Sequence, residues 1–189
     1  MEKMNNDRNR VCPVELANSL DSKIRRWLQN PQKILSPYVK EGMKVLDVGC
    51  GPGFFSIELA KMVGKSGKVF AVDLQEGMLQ KVKNKISSTN VESIINLIKC
   101  EQDKINIPEK VDFILAFYMV HEVPNKDYFF GAMINFLNEY GEFLIVEPKL
   151  FHVSKKEFDL TIGKAEKVGF KATQGPKLPF SFSSILKKA

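Results

Sequence analysis

The segment Val45-Leu46-Asp47-Val48-Gly49-Cys50-Gly51-Pro52-Gly53-Phe54-Phe55-Ser56 constrains this chain more than any other. A β-branched run with apolar residues on both sides of a strand passes through three alternate glycines into a stretch of helical period. Strands of that kind belong inside a parallel sheet covered by helices on both faces. Glycine is needed where the backbone takes positive φ, and where a ligand must approach the main chain without a Cβ in the way. In open parallel sheets such loops lie at the carboxyl ends of the strands, where ligands bind. The segment therefore predicts an α/β fold and marks where its ligand sits.

The spacing narrows the ligand. Dinucleotide folds favour G-x-G-x-x-G and phosphate loops need G-x-x-x-x-G-K-[ST], whereas this chain has G-x-G-x-G. Asp47 ahead of the glycines would repel a pyrophosphate and suits an ammonium group. Asp73 follows Gly53 by 20 residues and ends a second apolar run, Phe70-Ala71-Val72-Asp73-Leu74. An acid there can accept hydrogen bonds from both hydroxyls of a ribose. The expected ligand is an amino-acid nucleoside.

The same alternation runs through the chain. Strands are expected at Lys44–Val48, Lys68–Val72, Ile94–Lys99, Val111–Phe117 and Glu142–Glu147, and helices at Phe54–Val63, Glu76–Ile86 and Asp127–Glu139. Gly141 would separate the last helix from its strand. A further helix over Ser154–Val168 carries Ser154 and Glu157 at capping-box spacing. The extended stretches Phe170–Gln174 and Ser181–Leu186 lie too close together for a parallel crossover and should form an antiparallel hairpin. Before the first strand, Val14–Leu28 and Pro31–Val39 read as helices. The expectation is an α/β, Rossmann-like seven-stranded, mostly parallel sheet with helices on both faces. Residues 1–30 would form a helical cap, and 31–189 one compact domain.

Composition removes other classes. At 189 residues, 44% hydrophobic and 26% charged, the chain is neither disordered nor a coiled coil. No apolar run approaches the roughly 18 to 20 residues of a membrane span, and a polar start gives no secretion signal, so a cytoplasmic location is expected. Cys12, Cys50 and Cys100 are odd in number and lack C-x-x-C spacing, which argues against a disulfide framework or a zinc site. The net charge of +6 resides from Lys149 onward, where nine lysines face Glu157, Asp159 and Glu166. Their scattered spacing reads as solvated surface, with nucleic acid the less favoured partner.

On the residues of the loop, Asp73 and the later motifs, the stretch from about Pro31 to Pro148 resembles the class I S-adenosylmethionine-dependent methyltransferases. It is most similar to the small-molecule type related to ubiquinone/menaquinone C-methyltransferases. The resemblance implies S-adenosylmethionine as cofactor and S-adenosylhomocysteine as product. It also implies that Asp47 orients the methionine end, Gly49, Cys50, Gly51, Gly53 and Phe54 form the platform, and Asp73 takes the ribose. Leu74, Met78 and Phe117 complete the cofactor contacts, and Glu101 and Gln102 stand at the adenine, where the family usually has Gly-Asp-Ala. Cys50 is assigned no chemistry of its own.

The fourth strand runs into Tyr118-Met119-Val120-His121-Glu122-Val123-Pro124, matching a Leu-His-His stretch at the methyl-donor end in the related enzymes. His121, Glu122 and, after the fifth strand, His152 are the candidate catalytic residues, with His121 placed as a general base. Phe54, Phe117, Tyr118 and Phe151 could line the pocket, and Trp27 with Arg25 and Arg26 could close over it. His121, Glu147 and His152, with Cys12, also offer metal-ligand types, but no pair has diagnostic spacing and no metal is expected. The leading expectation is methyl transfer to a small molecule. An RNA or protein methyltransferase, and a non-catalytic cofactor-binding regulatory domain, are the alternatives. Oligomeric state is not legible.

Overall fold

The computed structural model describes residues 29–101, 104–149 and 153–189. The expected helix Val14–Leu28 and Cys12, Arg25, Arg26, Trp27, Gln102, Phe151 and His152 lie outside the described residues, as does nearly all of the expected cap over residues 1–30. The described elements run α1 (Pro31–Leu35), β1 (Lys44–Val48), α2 (Ser56–Val63), β2 (Lys68–Asp73), α3 (Glu76–Ile86), β3 (Ile95–Lys99) and β4 (Val111–Phe117). After β4 come a 3₁₀ turn over Val120–Glu122, α4 (Lys126–Phe136), β5 (Leu137–Pro148), α5 (Lys155–Lys167), β6 (Phe170–Gln174) and β7 (Ser181–Lys188).

The seven strands form one sheet in the order β3-β2-β1-β4-β5-β7-β6. β1 to β5 are parallel, and β7 runs antiparallel to both β5 and β6, as the short connection between the last two strands requires. Strand order reverses at β1, which puts the carboxyl ends of β1, β2 and β4 around one crevice. The alternation of side chains along β1 divides the core. Val45 joins Leu35, Leu59, Val63, Val82 and Ile86 from α1, α2 and α3 on one face. Leu46 and Val48 join Phe130, Met133, Phe158 and Ala165 from α4 and α5 on the other.

α5 begins as its sequence predicts. Ser154 accepts from the N–H of Glu157 while the Glu157 carboxylate accepts from the N–H of Ser154, closing the capping box. α1 stops at Leu35 and does not continue to Val39, and α2 starts at Ser56, two residues later than the helical period suggests. The largest departure is at α4, which ends at Phe136 and passes directly into β5. Leu137 prolongs the helical period but is fully buried as the first residue of the strand. Register then jumps from Val111↔Leu137 to Phe113↔Glu142, and Tyr140 in the bulged segment is 96% exposed. Gly141 is no turn residue here. A Cβ on it would lie 2.6 Å from Leu137 Cδ1 and 3.0 Å from the Asp112 carbonyl oxygen, so the bulge closes only over glycine.

Candidate active site

The glycine loop is fastened to β2. The N–H groups of Gly49 and Cys50 both donate to the Val72 carbonyl, at 2.8 and 3.0 Å. Asp73, at the end of β2, accepts from the Gly51 N–H through Oδ2 at 2.8 Å and from the Gln75 N–H through Oδ1 at 2.9 Å. One carboxylate thus ties the loop to the start of α3. Burial raises its pKa above the ordinary value, with the N–H groups of Gln75, Gly51 and Leu74 working in the other direction. Asp47 is buried, and its Oδ2 accepts from Ser56 Oγ at 2.6 Å, so the first residue of α2 orients the acid that precedes the loop.

All three glycines of the loop have positive φ, at 68°, 52° and 83° for Gly49, Gly51 and Gly53, yet each meets a different neighbour. A Cβ on Gly49 would fall 2.9 Å from Met119 Cβ, and one on Gly53 would fall 3.0 Å from Val82 Cγ2. Those two let the loop pack against the segment after β4 and against α3. A Cβ on Gly51 would meet nothing within 4 Å, because that residue faces the cleft.

The cleft encloses about 1110 Å³, its open mouth included. Asp47, Gly49, Cys50, Gly51 and Phe54 line it from the loop side, and Asp73, Leu74 and Met78 from β2 and α3. Glu101 enters from the end of β3, and Phe117 and Glu122 from the end of β4. Phe117 does both jobs open to it, being 6% exposed in the core and part of the wall, with its ring 4.3 Å from that of Phe55. Two of the expected site residues that are described do not line the cleft. Gly53 packs on α3, and His121 stands behind Glu122. Cys50 and Cys100 are among the lining residues and their thiols are neutral, since burial raises the first well above its ordinary value and the second to about 11.

The half-buried His121 is paired with the buried Glu147. Its Nδ1 lies 2.5 Å from Glu147 Oε2, while Glu147 Oε1 accepts from the Val120 N–H at 2.9 Å. Its Nε2 lies 3.9 Å from Glu122 Oε1. Burial pulls the imidazole pKa down, but the Glu147 hydrogen bond and the charges of Glu147 and Glu122 outweigh it, and the pKa stands above its ordinary value. Among the described residues no group of three or more His, Cys, Asp and Glu side chains is placed to hold a metal ion.

Tyr118 gave less signal in the sequence than its position merits. It takes φ 61°, a left-handed backbone that tyrosine rarely adopts, directly after β4. Its hydroxyl accepts from Gln29 Nε2 at 2.7 Å and lies 2.6 Å from Ser181 Oγ. Ser181 gives its proton to the Pro179 carbonyl at 2.9 Å, so Tyr118 donates to Ser181 and the chain of bonds has one direction. Gln29, the end of β4 and β7 are joined through that one side chain, which also lines the cleft.

A family model described as a methyltransferase domain matches residues 39–177. The chain belongs to this methyltransferase family. The curated relatives include the ubiquinone/menaquinone biosynthesis C-methyltransferase UbiE of Pasteurella multocida, 27% identical over 110 residues, which are 58% of this chain and 41% of the relative. UbiE of Paraburkholderia xenovorans is 29% identical over 124 residues, 65% of this chain and 50% of the relative. The chain spans about half the length of the curated relatives it matches. A SAM-dependent methyltransferase from Aquifex aeolicus superposes with a TM-score of 0.83 at 28% identity, covering 93% of this chain and 98% of the other. A methyltransferase structure from Methanococcus maripaludis, 17% identical with a TM-score of 0.73 and covering 100% and 97% of the two chains, shares the fold.

This methyltransferase is of class I, and S-adenosylmethionine is its cofactor. The cleft fits that group. Gly51 leaves open space where a side chain would project, and the acids Asp47, Asp73, Glu101 and Glu122 suit a ligand carrying sulfonium and ammonium charges. No helix among the described residues is long and apolar enough to cross a membrane.

Proposed function

We propose that this methyltransferase acts on a small-molecule acceptor in the cytoplasm, and that its cleft holds cofactor and acceptor side by side. The observation that carries the reading is that one cleft has the glycine loop and Asp73 on one side and Glu122, backed by the His121–Glu147 pair, on the other. A wall built of inward-facing aromatic and aliphatic side chains suits a compact acceptor. The curated relatives named for quinone biosynthesis support the same class.

In this reading Asp47, held by Ser56, receives the ammonium of the methionine end. The backbone of Gly49, Cys50 and Gly51 lies under the cofactor with Phe54, and Asp73 accepts the ribose hydroxyls with the lone pairs that its loop bonds leave over. Leu74, Met78 and Glu101 flank the base, with Gln102 next in sequence. Bound there, S-adenosylmethionine supplies an electrophilic methyl group on a sulfonium. The residues at the end of β4 place the acceptor and hold its departing proton, which is most of what an in-line displacement asks of a protein. Glu122 is the group on the wall, and His121 acts through it. His152 keeps the place the sequence gives it, as a candidate on the segment after β5.

Purified protein incubated with methyl-labelled S-adenosylmethionine and an extract of its own cells, fractionated by size, tests the reading. Label should enter the small-molecule fraction and depend on Asp73. Label confined to RNA or protein would overturn the acceptor class, and absence of S-adenosylhomocysteine binding would overturn the site.

A further inference from the structure

Among the described residues, three other than glycine take positive φ: Ser88 at 60°, Tyr118 at 61° and Phe180 at 51°. Two of the three are aromatic, and one hydrogen bond and one peptide bond join them. The Tyr118 hydroxyl lies 2.6 Å from Ser181 Oγ, and Phe180 precedes Ser181 in the chain. A left-handed backbone is unfavourable for any L-residue with a side chain, so it persists only where the surroundings hold it. The Phe180 carbonyl accepts from the Lys149 N–H at 2.8 Å, just past the end of β5. On its other side Ser181 Oγ donates to the Pro179 carbonyl at 2.9 Å, and Ser183 Oγ to the Pro176 carbonyl at 2.6 Å. Leu178 and Tyr118 pack against the same face of the core. The connection between β6 and β7 is thus fastened along its length.

Yet the ring that these bonds position is 63% exposed. Burial gives little back for the left-handed backbone, and glycine would fill the place with less strain. A phenylalanine held out in water on a fixed, strained backbone points to a use outside the fold. Its place in the sheet says which. The cleft opens at the carboxyl ends of β1, β2 and β4, and the next strands in order are β5 and β7. β7 is antiparallel, with Ser181 paired to Pro148 at the end of β5, so the start of β7 stands on the same edge of the sheet as the cleft. Tyr118 lines the cleft and reaches across the end of β5 to Ser181. Phe180 is not among the lining residues; it is carried two strands beyond Tyr118, on the side away from the glycine loop.

Resting on the small-molecule methyl-transfer reading above, we propose that the acceptor extends past Tyr118 onto the Phe180 ring. Phe180 is then a specificity-determining residue, and the acceptor carries an apolar group at a distance from the atom that is methylated. The face of the ring takes a flat or aliphatic group, and covering it removes apolar surface from water on both partners. The backbone that carries the ring is fixed before the acceptor arrives, so less freedom is lost on binding than a loose loop would lose. The strain at Phe180 is offset when the acceptor is bound, which is why the fold alone gives no reason for it.

The test titrates the small-molecule fraction of the cell extract, with methyl-labelled S-adenosylmethionine, against wild type, Phe180→Ala, Phe180→Gly and Phe180→Tyr. Phe180→Ala should need about fivefold or more extract to reach half its own maximal rate, a larger change than in that maximal rate. Phe180→Tyr keeps a ring and should stay within about twofold of wild type. Phe180→Gly should need as much extract as Phe180→Ala while melting close to wild type, because it loses an exposed ring and eases the backbone. Calorimetry should show S-adenosylhomocysteine binding to all of them alike. An unchanged half-maximal amount of extract in Phe180→Ala overturns the proposal. So does a melting temperature of Phe180→Gly about 5 °C or more below wild type, since the ring would then serve the fold. Weaker S-adenosylhomocysteine binding in Phe180→Ala overturns it too, by placing the ring at the cofactor. If wild type labels nothing in the small-molecule fraction, the acceptor class proposed above is what fails, and this contact falls with it.

Discussion

His121 Nδ1 and Glu147 Oε2 face each other at 2.5 Å, one from the turn after β4 and the other from near the end of β5, behind the wall of the cleft. The pair makes the imidazole easier to protonate. By nuclear magnetic resonance, His121 should titrate with a midpoint above the ordinary value of about 6.5. Glu147→Gln keeps an acceptor for the Val120 N–H and removes the charge, so the midpoint should fall. Stabilisation from the pair is complete below the unfolded imidazole value and is lost as pH rises through the higher folded one. A midpoint unchanged in Glu147→Gln would rule out the coupling.

If His121 holds Glu122 in place, His121→Asn should lower turnover roughly 100-fold while S-adenosylhomocysteine affinity, measured by calorimetry, stays close to wild type. Loss of cofactor binding in that variant would mark the histidine as structural.

The first two glycines of the loop separate folding from binding. Gly49→Ala puts a methyl 2.9 Å from Met119 Cβ at φ 68°, and should cost about 2 kcal/mol or more of stability in urea unfolding. Gly51→Ala meets no neighbour, so its stability cost should be nearer the backbone penalty of about 1 kcal/mol. Its methyl points into the cleft, and cofactor affinity should fall further than stability does. Equal affinities in wild type and Gly51→Ala would show that the loop does not touch the ligand.

Asp73 gives a pH-dependent signature. Cofactor binding needs the carboxylate, whose folded pKa is raised, so affinity should decline on acidification with a midpoint above the usual aspartate value of about 3.9. The same shift makes ionised Asp73 a cost to folding, which appears as pH rises from the unfolded pKa through the folded one. Asp73→Asn should flatten the affinity profile and bind S-adenosylhomocysteine about tenfold or more weakly.

Cys50 and Cys100 should react only slowly with a thiol reagent at pH 8, since both thiols are held protonated and Cys100 reaches its thiolate only at about 11. In a Cys12→Ser background, labelling should be slow and slower still with S-adenosylhomocysteine bound. Fast labelling of either would contradict their burial.

The sequence disclosed what local chemistry decides. Alternating apolar strands, the spacing of Gly49, Gly51 and Gly53 and the acid at Asp73 made the sheet and the loop side of the cleft legible, because each follows from a backbone or patterning requirement nearby. The division of labour among the three glycines was not legible, since it depends on Met119 and Val82 arriving from other elements. The end of α4 misled for a like reason. Leu137 fits the helical period, and only contact with Gly141 and β4 makes it a strand residue. His121 and Glu147 could be placed on one rim, but a bond between residues 26 apart is a tertiary fact. The left-handed Tyr118 had no sequence signal, since that conformation is announced by glycine or asparagine.

The position of β7 between β5 and β6 has a consequence for biosynthesis. β6 is made first but cannot join the sheet until β7 has followed it, because β7 supplies its hydrogen-bonding partner. A nascent chain translated only as far as β6 therefore displays the bare edge of β5, with the apolar residues Phe143, Leu144, Ile145 and Val146 along it. Such an edge pairs readily with other extended chains. A released chain that ends within the β6–β7 connection should thus be a species that chaperones bind. Synthesis through Lys188 lets the hairpin close and conceals that edge.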